Sequence, residues 1–332
     1  MAPLYKKTLV VGASSGIGEA LAAKLVSEGS KVIVVGRRRD RLDAFVKKHG
    51  EENAKAVVFD VTNLSGIKDF AESITQSDPD LDSVVLSSGI QRGFDFCNPE
   101  TVDLSVFGEE LTVNYTSAVY LTAAFIPHLK KQPKGHLIYV SATLGLVPFM
   151  VRTPNYNASK SALHTFILNV RQQLRDGGAD HVRMIEVFPP AVQTELHDEK
   201  HQPDLVNGGQ IGMPLAEFTD KMYDGLVKGE DQFAVGPGES FFKEDGWETQ
   251  RTKLYEDGQV MINNTAHVHV RINDDSSNLK GFLNVDIAMN GNGASSGICE
   301  TLSVVSPGIS LVNAAAGAGI SMLSIGCGLL GG

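Results

Sequence analysis

The sequence predicts an α/β fold: a doubly wound parallel sheet of about seven strands with helices on both faces, followed by a C-terminal extension. Short apolar, β-branched runs recur along the first 260 residues, and amphipathic stretches separate them, as is typical of a parallel sheet. Most of these runs are apolar throughout, as strands covered on both faces require. With 42% hydrophobic and 20% charged residues in 332, the chain can bury a large core.

The strands are predicted from these runs, in chain order. They cover residues 8–11, 31–35, 56–59, 83–86, 136–139, 182–188 and 232–235. The first intervening stretch, residues 17–28, places Ile17, Leu21 and Leu25 at i, i+4 and i+8, so one apolar face can pack on the sheet. Because crossovers between parallel strands are right-handed, a doubly wound sheet is the economical arrangement.

The pattern changes near residue 260. Residues 263–332 contain six charged side chains and eleven glycines, and no charge follows Glu300. Alternating apolar and polar positions predict a hairpin over residues 266–287. The last part, 301–332, is apolar but rich in Gly, Ala and Ser, which predicts a flexible tail. We therefore divide the chain into a sheet domain over residues 1–262 and a Gly/Ser/Ala-rich extension over 263–332.

Composition also bears on partners and location. A formal net charge of -10 opposes binding to nucleic acid. Cys97, Cys299 and Cys327 are widely spaced and odd in number, which argues against a disulfide framework and a zinc site. We expect no metal, no secretory signal and a cytoplasmic location. The alternative to a flexible tail is a membrane anchor over residues 309–330, but this stretch is poor in Leu and lacks flanking Lys or Arg.

A glycine-rich segment follows the first predicted strand and opens the first predicted helix. A turn at this place must be tight, must let a pyrophosphate approach the backbone, and must let helix and strand pack closely; each demand favours glycine. An ordinary glycine-rich turn is the alternative, but the placement between strand and helix favours a dinucleotide-binding loop. Its predicted binding residues are Gly12, Ser14, Ser15, Gly16, Ile17 and Gly18.

The end of the second predicted strand indicates which dinucleotide binds. Where such folds often carry an acidic residue for the ribose hydroxyls, this chain has Arg37, Arg38 and Arg39. Guanidinium groups bind a 2′-phosphate through charge-assisted hydrogen bonds, so Arg37 and Arg38 predict NADP (NADPH) rather than NAD. The alternative is a solvated basic start to a helix.

The third predicted strand is followed by an acidic residue. Asp60 is predicted to accept a hydrogen bond from the adenine amino group, and Val61 is predicted to be a cofactor-binding residue beside it. The alternative is that Asp60 caps a helix near Leu64.

Tyr156 and Lys160 are four positions apart, so on a helix they share one face. An ammonium nearby lowers the pKa of a phenol from about 10, which makes Tyr156 a usable acid or base for carbonyl–alcohol interconversion. After a fifth strand, in a chain that opens with the glycine loop, the pair predicts a catalytic centre.

From about residue 5 to residue 260, these motifs in this order make the chain resemble the classical short-chain dehydrogenase/reductase family, which has a Rossmann-type fold. The resemblance implies that Tyr156 is the acid, that Lys160 assists it and holds the nicotinamide ribose, and that Asn114 positions a relay water. It implies that Val192 and Thr194 contact the nicotinamide carboxamide. Stretches 88–92 and 189–197 are especially similar to the DltE-like short-chain oxidoreductases, a likeness that leaves the substrate open.

Two departures from the family pattern matter. The turn after the fourth strand lacks the family's asparagines but keeps small residues, Ser88 and Gly89, near the adenosine ribose. The catalytic serine is the second departure, because one alignment puts Ala142 in its place and another puts Thr143 there. Ser141 and Thr143 both carry a hydroxyl, and we favour Thr143 as the replacement.

Together these residues predict an NADP-dependent short-chain dehydrogenase/reductase that interconverts a carbonyl and an alcohol on a small-molecule substrate. The sheet domain, residues 1–262, is then the NADP-binding domain. The resemblance also implies a homodimer or homotetramer. The alternative is an NADP-binding scaffold or redox sensor without turnover, for which Ala142 is the only support.

Overall fold

Seven parallel strands form the central sheet of the computed structural model, which describes residues 3–203, 205–263, 265–273, 279–288, 303–305 and 322–324. The strands are β1 (Lys7–Val11), β2 (Lys31–Gly36), β3 (Ala54–Val58), β4 (Ser83–Leu86), β5 (Gly135–Val140), β6 (Val182–Phe188) and β7 (Gln232–Ala234). Their spatial order is β3-β2-β1-β4-β5-β6-β7, and every neighbouring pair is parallel. The predicted fold class and strand count are confirmed. Strand β3 begins two residues earlier than predicted because Ala54 already pairs with Val32 of β2.

Helices cover both faces of the sheet. They are α1 (Gly16–Ser27), α2 (Arg39–His49), α3 (Ile67–Ser77), α4 (Leu104–Leu111), α5 (Ser117–Leu129), α6 (Pro154–Asp176), α7 (Leu215–Lys228) and α8 (Trp247–Asn263). One buried apolar cluster joins the sheet to α3, α5 and α6, and the other joins it to α1, α2 and α7. Adjacent residues of β5 alternate between them: Leu137 belongs to the first and Ile138 to the second, because successive side chains of a strand point to opposite faces.

The strand order reverses at β1, which pairs with β2 on one side and β4 on the other. Connections on the two sides of such a point diverge, which leaves a crevice beyond the carboxyl ends of the strands. The glycine loop follows β1 and residues 87–89 follow β4, so the topology brings both predicted segments to this crevice.

The chain divides into two compact units, residues 1–248 and 249–332, so the division falls within α8. In the second unit, β8 (Thr265–Asn273) and β9 (Leu279–Ala288) form an antiparallel pair, and so do β10 (Ser303–Val305) and β11 (Met322–Ser324). Apart from β10 and β11, the predicted tail 301–332 and the alternative anchor 309–330 lie outside the described residues. Within the described part, no helix is long and apolar enough to cross a membrane.

Candidate active site

A cavity of about 460 Å³ lies at the carboxyl edge of the sheet. It collects predicted site residues from seven separate segments of the chain. Those that line it are Gly12, Ser14, Ser15, Gly16, Ile17, Arg37, Arg38, Asp60, Val61, Ser88, Gly89, Ser141, Thr143, Tyr156, Lys160, Val192 and Thr194. Two predicted residues do not line it: Gly18 packs beneath the glycine loop, and Asn114 borders a small adjacent cavity.

The glycine loop takes a conformation that side chains would block. Gly12 has φ +90°, and a Cβ built on it would lie 2.6 Å from the backbone nitrogen of Ser88. A Cβ on Gly18 would lie 2.3 Å from the carbonyl oxygen of Gly12. The first residues of α1, Gly16 and Ile17, line the cavity. An open backbone beside a helix N-terminus is a good site for a phosphate.

The three consecutive arginines take different positions. Arg38 reaches back to the glycine loop, where its Nη2 donates to Ser14 Oγ at 3.0 Å and to Ser15 Oγ at 2.5 Å. Arg37 lies 3.9 Å from Asp60 and is half exposed. Arg39 begins α2, pairs with a carboxylate one turn later and does not line the cavity. The solvated alternative therefore describes Arg39, whereas Arg37 and Arg38 are cavity residues.

Asp60 stabilises a local turn as well as lining the cavity. Its Oδ1 accepts hydrogen bonds from the backbone nitrogen of Thr62 at 3.0 Å and from the Thr62 hydroxyl at 2.9 Å. The helical turn that starts at Leu64 is capped by Asn63, whose side chain accepts from the nitrogen of Gly66. The alternative that Asp60 caps this helix is therefore wrong.

Tyr156 and Lys160 lie on one face of α6, and both are buried. Lys160 Nζ donates to the carbonyl oxygen of Val140 at 2.8 Å and lies 5.7 Å from the centroid of the Tyr156 ring. Burial raises the pKa of Tyr156, and the Glu110 carboxylate raises it further. The net shift of this pKa is therefore upward, opposite to the predicted lowering, because desolvation dominates. Burial also lowers the pKa of Lys160 to about 8, against an opposing effect of Glu186.

Asn114 lies in a π-helical turn, Thr112–Thr116, that joins α4 to α5. Its amide makes two 2.9 Å hydrogen bonds to the backbone of Ile90, one as acceptor and one as donor, and it donates to Ser159 Oγ at 3.1 Å. The segment after β4 is thereby tied to α6. Between Asn114 and Lys160 is a cavity of about 10 Å³, close to the space that one water needs.

The segment after β5 carries the two candidate hydroxyls. Thr143 Oγ1 donates to the carbonyl oxygen of Pro189 at 3.2 Å. Ser141 Oγ is buried and has no hydrogen-bond partner among the described residues. Ala142, between them, belongs to an apolar cluster with Tyr156. The sequence favours Thr143, whose hydroxyl is hydrogen-bonded to Pro189, whereas the hydroxyl of Ser141 is buried.

The loop after β6 forms another part of the cavity wall. Val192 is buried and bridges to Met213, and two backbone hydrogen bonds of 2.9 Å fix this bridge on either side. Thr194 Oγ1 accepts from the nitrogen of Leu196 at 3.4 Å, starting a short helical turn. Gln202 then ties the following segment to Gln91 through a hydrogen bond of 2.9 Å.

Sequence reasoning missed Glu195, which follows Thr194 directly. Its two carboxylate oxygens accept from Arg38 and Arg41, each at 2.7 Å. Partial burial raises the pKa of Glu195, but the hydrogen bonds from both arginines outweigh this effect and hold it at about 2. Because Arg38 is 157 positions earlier in the chain, no local pattern could have indicated the pair.

Comparison with known proteins agrees with this geometry. Residues 6–204 match the short chain dehydrogenase family. The chain is 35% identical over 224 residues to the uncharacterized oxidoreductase DltE of Bacillus subtilis, covering 68% of this chain and 85% of the relative. It is 32% identical over 203 residues to the NADP-dependent 3-hydroxy acid dehydrogenase YdfG of Salmonella typhi, covering 61% of this chain and 79% of the relative.

The fold is also found among solved structures. A short-chain dehydrogenase from Sphingobium yanoikuyae, solved in complex with NADPH, matches with a TM-score of 0.64. The match covers 76% of this chain and 96% of the other, at 21% identity. At this level of identity, the likeness shows a shared fold.

Proposed function

Because this chain belongs to the short-chain dehydrogenase family, we propose that it is an NADPH-dependent oxidoreductase that interconverts a carbonyl and an alcohol on a small-molecule substrate. The observation that carries the proposal is one cavity with Tyr156 and Lys160 in its wall together with the glycine loop and Arg38. The first pair suits proton transfer, and the second group suits a phosphorylated nucleotide.

The residues present fit the proposed cofactor. The glycine loop offers backbone without side chains, and α1 offers its N-terminus, to a pyrophosphate. Arg37 and Arg38 offer guanidinium groups to a 2′-phosphate, and the Ser14 hydroxyl lies beside them. We assign Val192 and Thr194 to the nicotinamide end. The relative YdfG is NADP-dependent by name, which supports this choice.

The proposed chemistry divides between cofactor and protein. Bound NADPH supplies the hydride for the substrate carbon. The phenol of Tyr156 donates a proton to the carbonyl oxygen during reduction and accepts it during oxidation. Lys160, whose pKa of about 8 leaves it mostly protonated at neutral pH, stabilises the phenolate that donation leaves behind. We assign the orientation of the substrate oxygen to a hydroxyl of the segment after β5, with Thr143 and Ser141, which both line the cavity, as the candidates.

We assign Asn114 a positioning role in the return of the proton to Tyr156. The small cavity beside it also borders Lys160, and a water there would connect the ammonium with the polar groups around it. The amide of Asn114 is hydrogen-bonded to Ile90 and Ser159. Its contribution is therefore to hold the walls of this cavity in place.

A second candidate function is an NADP-binding scaffold or redox sensor without turnover. The observation that favours it is Ala142, which packs with Tyr156 where the family pattern places a serine hydroxyl. A screen of carbonyl compounds, 3-oxo acids included, for consumption of NADPH absorbance separates the two. Turnover supports the enzyme, whereas tight NADPH binding with no turnover across the panel supports the scaffold.

The role of Tyr156 is tested with Tyr156→Phe, which removes the phenolic proton and preserves the shape of the ring. We expect the rate to fall by about 10²–10⁴-fold while NADPH affinity stays unchanged. Tyr120→Phe, at an exposed tyrosine of α5, is the matched control and should keep full activity. Lys160→Met should reduce both rate and NADPH affinity. Full activity in Tyr156→Phe would show that the proton comes from another group.

A further inference from the structure

We propose that Glu195 is an internal competitor for the 2′-phosphate of NADPH: it occupies Arg38, one of the two arginines assigned to this phosphate, and thereby lowers the affinity for 2′-phosphorylated nucleotides. The inference rests on the proposed function and adds a residue that determines how strongly the chain prefers its cofactor.

The contacts are those of an occupied anion site. Arg38 Nη1 lies 2.7 Å from Glu195 Oε2, and Arg41 Nη1 lies 2.7 Å from Glu195 Oε1. Each carboxylate oxygen thus has its own guanidinium, as the oxygens of a bound phosphate would. The other amino group of Arg38 holds Ser14 and Ser15, so its position over the glycine loop is already set.

Both side chains of this ion pair also belong to the cavity wall. Arg38 comes from the end of β2 and Glu195 from the loop after β6, and both side chains line the same cavity. A 2′-phosphate that binds Arg38 is therefore repelled by the negatively charged carboxylate of Glu195, which is already paired with Arg38. The low pKa of Glu195 means that it stays charged at any physiological pH.

The consequence depends on charge. A phosphate monoester carries between one and two negative charges and three acceptor oxygens, so it can displace a single carboxylate from a guanidinium, but its net affinity is reduced by the ion pair that it replaces. A nucleotide without a 2′-phosphate has no group to take over Arg38. Glu195 should therefore weaken binding of the phosphorylated form and leave the other form nearly unaffected.

The test measures binding alone, by calorimetric titration of the full chain with 2′,5′-ADP and with 5′-AMP. In Glu195→Gln, which keeps the size of the side chain and removes its charge, we expect the Kd for 2′,5′-ADP to fall about tenfold, or about 1.4 kcal/mol. The Kd for 5′-AMP should change less than twofold. Glu199→Gln makes the same change in net charge at an exposed residue of the same segment that does not line the cavity, and should change neither Kd.

The possible results separate this inference from the proposed cofactor. If neither the wild type nor Glu195→Gln binds 2′,5′-ADP more tightly than 5′-AMP, the NADPH preference fails and the competitor with it. If the wild type prefers 2′,5′-ADP but Glu195→Gln binds it equally or more weakly, Glu195 is no competitor. Equal tightening for both nucleotides would also overturn the proposal, because it would indicate a steric obstacle. Glu195→Ala, checked for folding by circular dichroism, should reproduce the result of Glu195→Gln.

Discussion

Replacing Gly12 by alanine should destabilise the fold at the nucleotide site. Gly12 has φ +90°, a conformation that costs an L-residue about 1–2 kcal/mol. The added Cβ would lie 2.6 Å from the nitrogen of Ser88 and 2.8 Å from the carbonyl carbon of Ser87. Because both are backbone atoms, relief requires the ends of β1 and β4 to move apart, at about 1–3 kcal/mol. We therefore expect the free energy of unfolding to fall by about 2–5 kcal/mol, measured by urea denaturation.

Two other glycines provide controls for this measurement. Gly16 also has positive φ, +61°, but its added Cβ would meet only the Thr194 side chain, at 3.4 Å, so Gly16→Ala should show the backbone cost of about 1–2 kcal/mol alone. Gly108 lies inside α4 with nothing within 4 Å of its added Cβ, so Gly108→Ala should stabilise the protein by about 0.5–1 kcal/mol. A loss for Gly12→Ala no larger than that for Gly16→Ala would refute the argument from close strand approach.

Three further predictions concern the cofactor, the extension and a buried acid. Arg38→Leu should reduce the ratio of NADPH to NADH affinity at least tenfold, since a charge-assisted contact contributes about 1.5–3 kcal/mol; an unchanged ratio in fluorescence titrations would assign the 2′-phosphate elsewhere. A chain ending after Asn263 should stay folded and keep its cofactor affinity, and loss of cooperative unfolding would show that residues 264–332 support the core. Burial raises the pKa of Glu110 to about 7 against the opposing charge of Arg92, so its stabilising contribution is lost as pH rises from 4.5 through 7. Glu110→Gln should therefore gain up to about 3 kcal/mol relative to wild type between pH 4.5 and pH 8, whereas the exposed Glu109→Gln should show no such gain in denaturant titrations at the two pH values.

Features that depend on neighbouring positions could be predicted from the sequence. The seven strands follow from apolar runs, and their observed bounds differ from the predicted ones by no more than two residues. The glycine loop could be predicted because its backbone has no room for a Cβ atom at Gly12 and Gly18, and the sequence shows this requirement directly as glycine. The family could be predicted from the order of the motifs, because Asn114, Tyr156 and Lys160 stand in the order and context that are characteristic of it.

Features that depend on distant neighbours were decided by the tertiary structure. Burial raises the pKa of Tyr156, and this burial depends on all the residues that pack around the ring. The four-residue spacing to Lys160 does not indicate how deeply the ring is buried. The Thr143 hydroxyl donates to the carbonyl oxygen of Pro189, 46 positions later, a contact that no local pattern indicates. The ion pair of Arg38 with Glu195 joins residues 157 positions apart in the sequence. Their side chains come within 2.7 Å of each other only when the sheet has formed. Periodicity and backbone conformation are local properties of the sequence, whereas burial and charge pairing arise when the chain folds.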